Sequence, residues 1–211
     1  MQGAFVVFEG GDGAGKSTQC CLLADNLRAI GYEVVVTREP GGTPVGDAIR
    51  EVLLGVAGHG MAARTEALLF AAARAEHAAA LIRPARDRGA VVISDRYVDS
   101  SVAYQGAARG LGEDRIAELN SWATQGLLPD LTLLLDVAPA MGLGRARDAN
   151  RMEAEPEAFH DAVRSSFLRS AAAAPQRYVV IPVDRPVAET ASAALAAVLA
   201  VLPGPSDRSW P

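Results

Sequence analysis

The chain has 211 residues, 50% hydrophobic and 21% charged, enough for one large α/β domain with a sizeable core, or for one domain with a small insertion. Its formal net charge of −5 argues against a nucleic-acid partner, which needs a basic face, although a local cluster of arginines can still serve an anionic small molecule. His59, His77 and His160 show no metal-ligand spacing and read as surface or core residues.

In chain order, Ala4–Glu9 is a short apolar run that reads as a first strand. It leads without a basic leader into a helical pattern over Lys16–Ile30, so no signal peptide is expected. Gly31 suits the C-terminal cap of that helix. Cys20 and Cys21 are neighbours on it and point apart, which argues against a disulfide between them and fits a reducing, cytoplasmic setting. A second strand, Tyr32–Thr37, is followed by a Gly-rich loop over Gly41–Gly46, a helix over Val45–Leu54 and a second loop over Gly55–Gly60. Arg64–Arg83 has a long helical pattern that Pro84 should end or kink. Strands over Ala90–Ser94, Leu131–Asp136 and Tyr178–Val183 alternate with helices over Asp114–Gln125, Ala140–Asp148, Glu157–Ala174 and Val187–Leu202. The apolar part of the last helix, Ala191–Leu202, is too short to cross a bilayer.

Strands that are apolar along their whole length are covered on both faces. Five of them with helical crossovers predict a doubly wound, five-stranded parallel sheet with helices on both faces. We expect one domain over residues 1–203, with a short lid at about 144–156, and a disordered tail over 204–211.

Gly10-Gly11-Asp12-Gly13-Ala14-Gly15-Lys16-Ser17 matches G-x-x-x-x-G-K-[ST] between a predicted strand and a predicted helix. Its glycines let backbone N–H groups converge on an anion at a helix N-terminus. Lys16 would reach the β- and γ-phosphates of a nucleoside triphosphate, and the Ser17 hydroxyl would ligate Mg²⁺. No Asn-Lys-x-Asp guanine-reading element occurs. A small chain of this kind points to phosphotransfer onto a small acceptor.

Asp95 and Arg96 end the third strand, at the sheet edge that faces the ligand crevice in open α/β sheets. Asp95 could hold Mg²⁺ through a water, and Arg96 could clamp an acceptor phosphate. The pair equally fits a surface cap of the strand, and these residues alone leave both readings open. Asp136 ends another apolar run but has no basic neighbour, so it ranks second as the acid.

Phe8 through Thr18, Thr37-Arg38-Glu39-Pro40-Gly41-Gly42-Thr43, Leu68 through Arg74, and Asp95-Arg96-Tyr97 through Gly106 resemble the thymidylate kinase family, in order, from about residue 4 to about 185. The resemblance implies the P-loop NTPase fold, ATP and dTMP as co-substrates, Mg²⁺ and a homodimer. It assigns the ATP phosphates to Gly10, Gly11, Asp12, Gly13, Ala14, Gly15, Lys16, Ser17 and Thr18. On the acceptor side it implies that Phe70 stacks on the base and Arg74 donates to its 4-oxo group, which cytosine replaces with an amino donor. Tyr104 would sit beneath the sugar C2′, Gln105 and Ser101 would line the base edge, and Asp12 would accept from the 3′-hydroxyl. Arg38 and Arg96 would approach the acceptor phosphate, and Pro40 the thymine methyl. Read without the family, Phe70 and Tyr104 are packing residues, Asp12 a turn former and Arg74 a solvated charge.

Arg145, Arg147 and Arg151 fall in one short stretch. Phosphoryl transfer needs positive charge around the moving group. Gly13 and Ala14, not a basic residue, directly follow Asp12 in the P-loop, which resembles the family subclass whose lid supplies that charge. We expect Arg151 at the transition state, with Arg145 and Arg147 on the ATP phosphates. Asn150 stands where many relatives carry an acid. An exposed basic helix end is the plain alternative for the stretch. The rival functions are another P-loop nucleotide or nucleoside kinase, and a non-catalytic nucleotide-gated binding module.

Overall fold

The computed structural model describes residues 2–144 and 151–202. Its elements are β1 Phe5–Glu9, α1 Lys16–Ala29, β2 Val34–Arg38, α2 Pro44–Leu54, α3 Ala63–His77, α4 Arg83–Asp87, β3 Val91–Asp95, α5 Val98–Ser101, α6 Glu113–Thr124, β4 Leu131–Asp136, α7 Pro139–Leu143, α8 Glu157–Ala173, β5 Tyr178–Pro182 and α9 Val187–Leu199. The five strands form one parallel sheet in the order β2-β3-β1-β4-β5, as the continuous apolar runs predict. Side chains of β1 alternate across it. Val6 and Phe8 pack with α1 and α9 on one face, whereas Phe5 and Val7 pack with Ile82, Ala85 and Tyr97 on the other. Both faces are therefore buried, and this is the P-loop NTPase arrangement.

The connection leaving β1 runs toward β2, while the one leaving β3 crosses β1 to reach β4. Adjacent strands whose connections diverge leave a crevice at their C-terminal ends. Phe8 is in register with Asp95, so Gly10 and Arg96 emerge side by side at that crevice.

Local chemistry explains several element ends. Helix α1 closes as a Schellman motif: Gly31 has φ 94°, its N–H bonds to the Arg28 carbonyl, and the Tyr32 N–H bonds to that of Leu27. Helix α2 begins with Pro44 behind Thr43, whose hydroxyl accepts from the Gly46 N–H at 3.0 Å. The expected Gly41–Gly46 loop is thus shorter, because Gly46 is already helical. Likewise Gly55–Gly60 contains a 3₁₀ turn over Val56–Gly58.

Pro84 neither ends nor breaks the long helix. A π-helical stretch, Ala78–Ile82, lies between α3 and α4, and the wider turn loosens the i→i−4 ladder that a proline would otherwise clash with. The largest departure from expectation is Val98–Ala108, where four α-helical residues run into a π-helix over Val102–Ala108. Asp99, Ser100, Ser101 and Gln105 are all buried there, so no apolar stripe marked it as a helix. The predicted Ala140–Asp148 helix begins where α7 runs, over Pro139–Leu143; its last four positions, 145–148, and the tail over 204–211 lie outside the described residues.

Candidate active site

A cleft of about 680 Å³ opens at the C-terminal ends of β1 and β3. One wall is the P-loop, from Asp12 to Thr18; the other carries Arg38, Pro40, Phe70, Arg74, Ser101, Tyr104 and Gln105. Residues from both halves of the sequence prediction therefore share one space. Gly10 and Gly11 are not on its lining but build the loop. Gly10 has φ 138°, and a Cβ there would collide with the Leu135 carbonyl oxygen, so only glycine fits between β1 and β4.

Lys16 is buried, and its ammonium donates to the carbonyls of Gly10 at 3.1 Å and Gly11 at 2.7 Å. Burial, helped by the charge of Arg96, lowers its pKa to about 8. The Ser17 hydroxyl donates to Asp95 Oδ2 at 2.5 Å. The Ser17 oxygen comes from the first turn of α1 and the Asp95 oxygens from the end of β3, and they converge at the helix N-terminus. They fit Mg²⁺, which binds through one or two protein oxygens and takes its remaining ligands from water and phosphate. Asp136, the last residue of β4 rather than a turn residue, is engaged elsewhere, in a two-point ion pair with Arg164 at 2.7 and 2.9 Å.

Arg96 lies at φ 73°, a left-handed conformation that costs a non-glycine residue about 1–2 kcal/mol. The turn aims its guanidinium back across the cleft. It donates to the Gly10 carbonyl at 3.2 Å, Ser100 Oγ at 3.0 Å, Asp12 Oδ1 at 2.5 Å and the Tyr104 hydroxyl at 3.1 Å. Burial opposes its charge, but Tyr104, Asp12, Glu9 and Asp95 outweigh that and raise its pKa further. Tyr104 in turn donates to Asp12 Oδ2 at 2.8 Å. Burial alone would raise the Asp12 pKa, yet Arg96 and Lys16 bring it below the usual range, so Asp12 is ionised. Both of its oxygens keep further lone-pair capacity. Tyr104 is clamped edge-on by Phe159 and Phe167 at centroid distances of 6.0 and 6.4 Å, which makes it a rigid wall.

Arg74 is not a solvated charge. It is 1% exposed and donates to Glu39 Oε2 at 2.6 Å, Ser101 Oγ at 2.9 Å, the Tyr97 carbonyl at 3.0 Å and Asn120 Oδ1. Glu39 also bonds His77 Nδ1 at 2.8 Å. Phe70, one helical turn before Arg74, is half-buried on the cleft wall.

Arg151 is not on the cleft lining. Its Nε donates to the Leu53 carbonyl at 3.1 Å and its NH1 to Glu66 Oε2 at 2.5 Å, while its buried NH2 has no partner among the described residues. Arg145 and Arg147 lie outside the described residues. Sequence reasoning missed Arg50, which lines the cleft and donates to the Pro40 carbonyl at 2.8 Å. Burial, with Arg38 beside it, lowers the pKa of Arg50, the signature of cations gathered for an anion. It also missed Arg185 on the lining. Glu9 escaped notice too. This fully buried carboxylate accepts from the Tyr97 and Ser100 N–H groups at 2.8 and 3.0 Å and from Ser100 Oγ at 2.6 Å. Burial, reinforced by Asp99, pushes its pKa up to about 7. The only local signal for it was an acid at the end of an apolar strand.

Among the described residues no helix is long and apolar enough to cross a membrane, and no group of three or more His, Cys, Asp or Glu is clustered for a metal.

The family model described as thymidylate kinase matches residues 8–194. A thymidylate kinase of Clavibacter michiganensis is 54% identical over 92% of this chain and 93% of its own. One of Thermomicrobium roseum is 52% identical over 94% and 95%. A crystal structure of thymidylate kinase from Ehrlichia chaffeensis superposes with a TM-score of 0.78 at 32% identity, over 94% of this chain and 99% of that one.

Proposed function

The chain belongs to the thymidylate kinase family, and from that premise we propose how its residues transfer the γ-phosphate of ATP to dTMP, giving dTDP for dTTP synthesis. The observation that carries the reading is the single cleft whose two walls suit two nucleotides tail to tail, with the P-loop on one side and Phe70, Arg74, Ser101 and Gln105 on the other.

A phosphate monoester oxygen is already nucleophilic, so positioning and charge neutralisation suffice. The P-loop amides and Lys16 hold the donor phosphates. Ser17 and Asp95 would hold Mg²⁺, which neutralises β- and γ-phosphate oxygens when bound. Arg96, with Arg38 and Arg50 nearby, receives the acceptor phosphate. Asp12 keeps Arg96 in place and offers its remaining lone pairs to the sugar 3′-hydroxyl. Tyr104, rigid beneath that position, disfavours a 2′-hydroxyl. Phe70 stacks on the base, Pro40 meets the thymine methyl, and Ser101, Gln105 and Arg74 face the base edge. Arg151 supplies charge to the transferring group once it leaves Glu66, together with Arg145 and Arg147.

A cytoplasmic homodimer is part of the same reading, supported by an exposed apolar face on α2 and α3 that includes Val45, Val52 and Leu68. Coupled ADP release with dTMP, dCMP, UMP and thymidine in turn tests the assignment. Turnover is expected with dTMP and at least about 100-fold lower efficiency with dCMP, because opposed donors leave buried groups unpaired. Turnover with dCMP, UMP or thymidine but not dTMP would reject the assignment, and turnover surviving Lys16→Ala would reject the mechanism.

A further inference from the structure

Glu66 lies in the first turn of α3, one turn before Phe70 and on the same helix as Arg74. It is 1% exposed, and a carboxylate is buried so deeply only when its charge is answered. The answer comes from three side chains. Arg151 donates to Oε2 at 2.5 Å, Arg109 approaches both oxygens at 3.3 and 3.4 Å, and Gln105 Nε2 donates to Oε1 at 2.9 Å. Burial on its own would raise the Glu66 pKa, but the hydrogen bonds from Gln105 and Arg151 and the nearby guanidinium charges take it below the ordinary range. The group is therefore a carboxylate at neutral pH and can only accept hydrogen bonds.

That restriction decides how Gln105 sits. A carboxamide has a donor end and an acceptor end of nearly the same shape, and its neighbours choose between the two orientations. With Nε2 committed to Glu66, the end of Gln105 left to face the cleft is the carbonyl oxygen, an acceptor. Arg74 is on the same lining, and its five N–H groups make four hydrogen bonds to the protein, which leaves one donor for a ligand. A donor beside an acceptor complements an oxo group next to a ring N–H. It opposes an amino group next to an unprotonated ring nitrogen.

We infer that Glu66 is a positioning residue for pyrimidine choice: by holding the Gln105 amide with its oxygen toward the cleft, it makes the pocket accept a 4-oxo pyrimidine monophosphate and refuse a 4-amino one. The inference rests on the dTMP kinase reading and deepens it. Glu66 touches no substrate and acts through Gln105. Arg109, which approaches both of its oxygens, keeps it ionised after Arg151 has left and so keeps the amide in one orientation.

The test is the ratio of kcat/KM for dTMP to that for dCMP. In Glu66→Gln the new amide can offer its own NH₂ group to the Gln105 oxygen, so Gln105 can turn over. The ratio is expected to fall roughly tenfold or more, with dTMP losing mainly in KM and dCMP gaining. If the lone charges left on Arg109 and Arg151 unfold that variant, Glu66→Gln combined with Arg151→Gln removes a buried charge from each side and is expected to show the same fall in the ratio. Arg151→Gln alone is expected to slow both acceptors alike and leave the ratio where it was. A cycle with Gln105→Leu closes the test: once the amide is gone, Glu66→Gln should no longer move the ratio. Equal losses with both acceptors, or a fall in the ratio that persists in the Gln105→Leu background, would overturn the inference. Failure of the unaltered enzyme to use dTMP would instead overturn the functional reading beneath it.

Discussion

Lys16 carries its charge in a place where water cannot share it. Burial and Arg96 lower its pKa to about 8, so in the free enzyme the ammonium is fully present below that pH and is lost as pH rises through it. kcat/KM for ATP, which reports on the free enzyme, is therefore expected to be level below about pH 8 and to decline above it. kcat should hold to higher pH, because bound polyphosphate favours the charged ammonium. A pH profile of initial rates decides this, and a kcat/KM level to pH 10 would show that Lys16 is not the titrating group. Glu9 titrates in the opposite sense for stability. Its pKa is near 7 when folded, against about 4.5 for a free glutamate, so the folded state binds the extra proton between those values. Stability should fall as pH rises from 4.5 to 7, and the slope should flatten in Glu9→Gln. Thermal melts of the two proteins across that window measure it.

At the scale of elements, the helix ends are set by short-range chemistry and can be perturbed one at a time. Gly31 closes α1 at φ 94°, and nothing lies within 4 Å of the Cβ that alanine would add. Gly31→Ala therefore costs only the strain of a left-handed alanine, about 1–2 kcal/mol. Chemical denaturation should show that loss with kcat unchanged, since Gly31 lies at the opposite end of α1 from the P-loop. The π-helical stretches behave differently. Ala78–Ile82 and Val102–Ala108 both sit in the segments that bring Arg74, Ser101, Tyr104 and Gln105 to the cleft. Their wide turns lodge Pro84 in one case and buried polar side chains in the other, neither of which a regular α-helix accommodates well.

For the whole molecule, α2 and α3 leave an apolar face exposed. Leu68 is 58% exposed and Val45 53%, beside a shallow groove lined by Pro44, Val45, Ala48, Ile49, Val52 and Leu69. An exposed apolar face of this kind suits the isologous contact of a two-fold dimer. Sedimentation is expected to give a dimer for the unaltered chain and a monomer for Leu68→Glu combined with Val52→Asp. A monomeric unaltered chain at micromolar concentration would remove the dimer from the reading.

The amino-acid sequence by itself determined the five strands, most helices and the phosphate loop. These depend on local periodicity, on glycine conformations and on a motif whose residues are neighbours in the chain. It also carried enough of the family's pattern to point to Phe70, Arg74 and Arg96. It did not reveal the helical character of Val98–Ala108, the passage of the long helix through Pro84, the full burial of Arg74, or the parts taken by Glu9, Arg50 and Glu66. Those depend on partners brought together by the sheet, such as Glu39 and Asn120 on Arg74, or Gln105 and Arg151 on Glu66. Whether a charged side chain is solvated, buried or aimed at a ligand is set by what surrounds it in space, and only the tertiary structure supplies those surroundings.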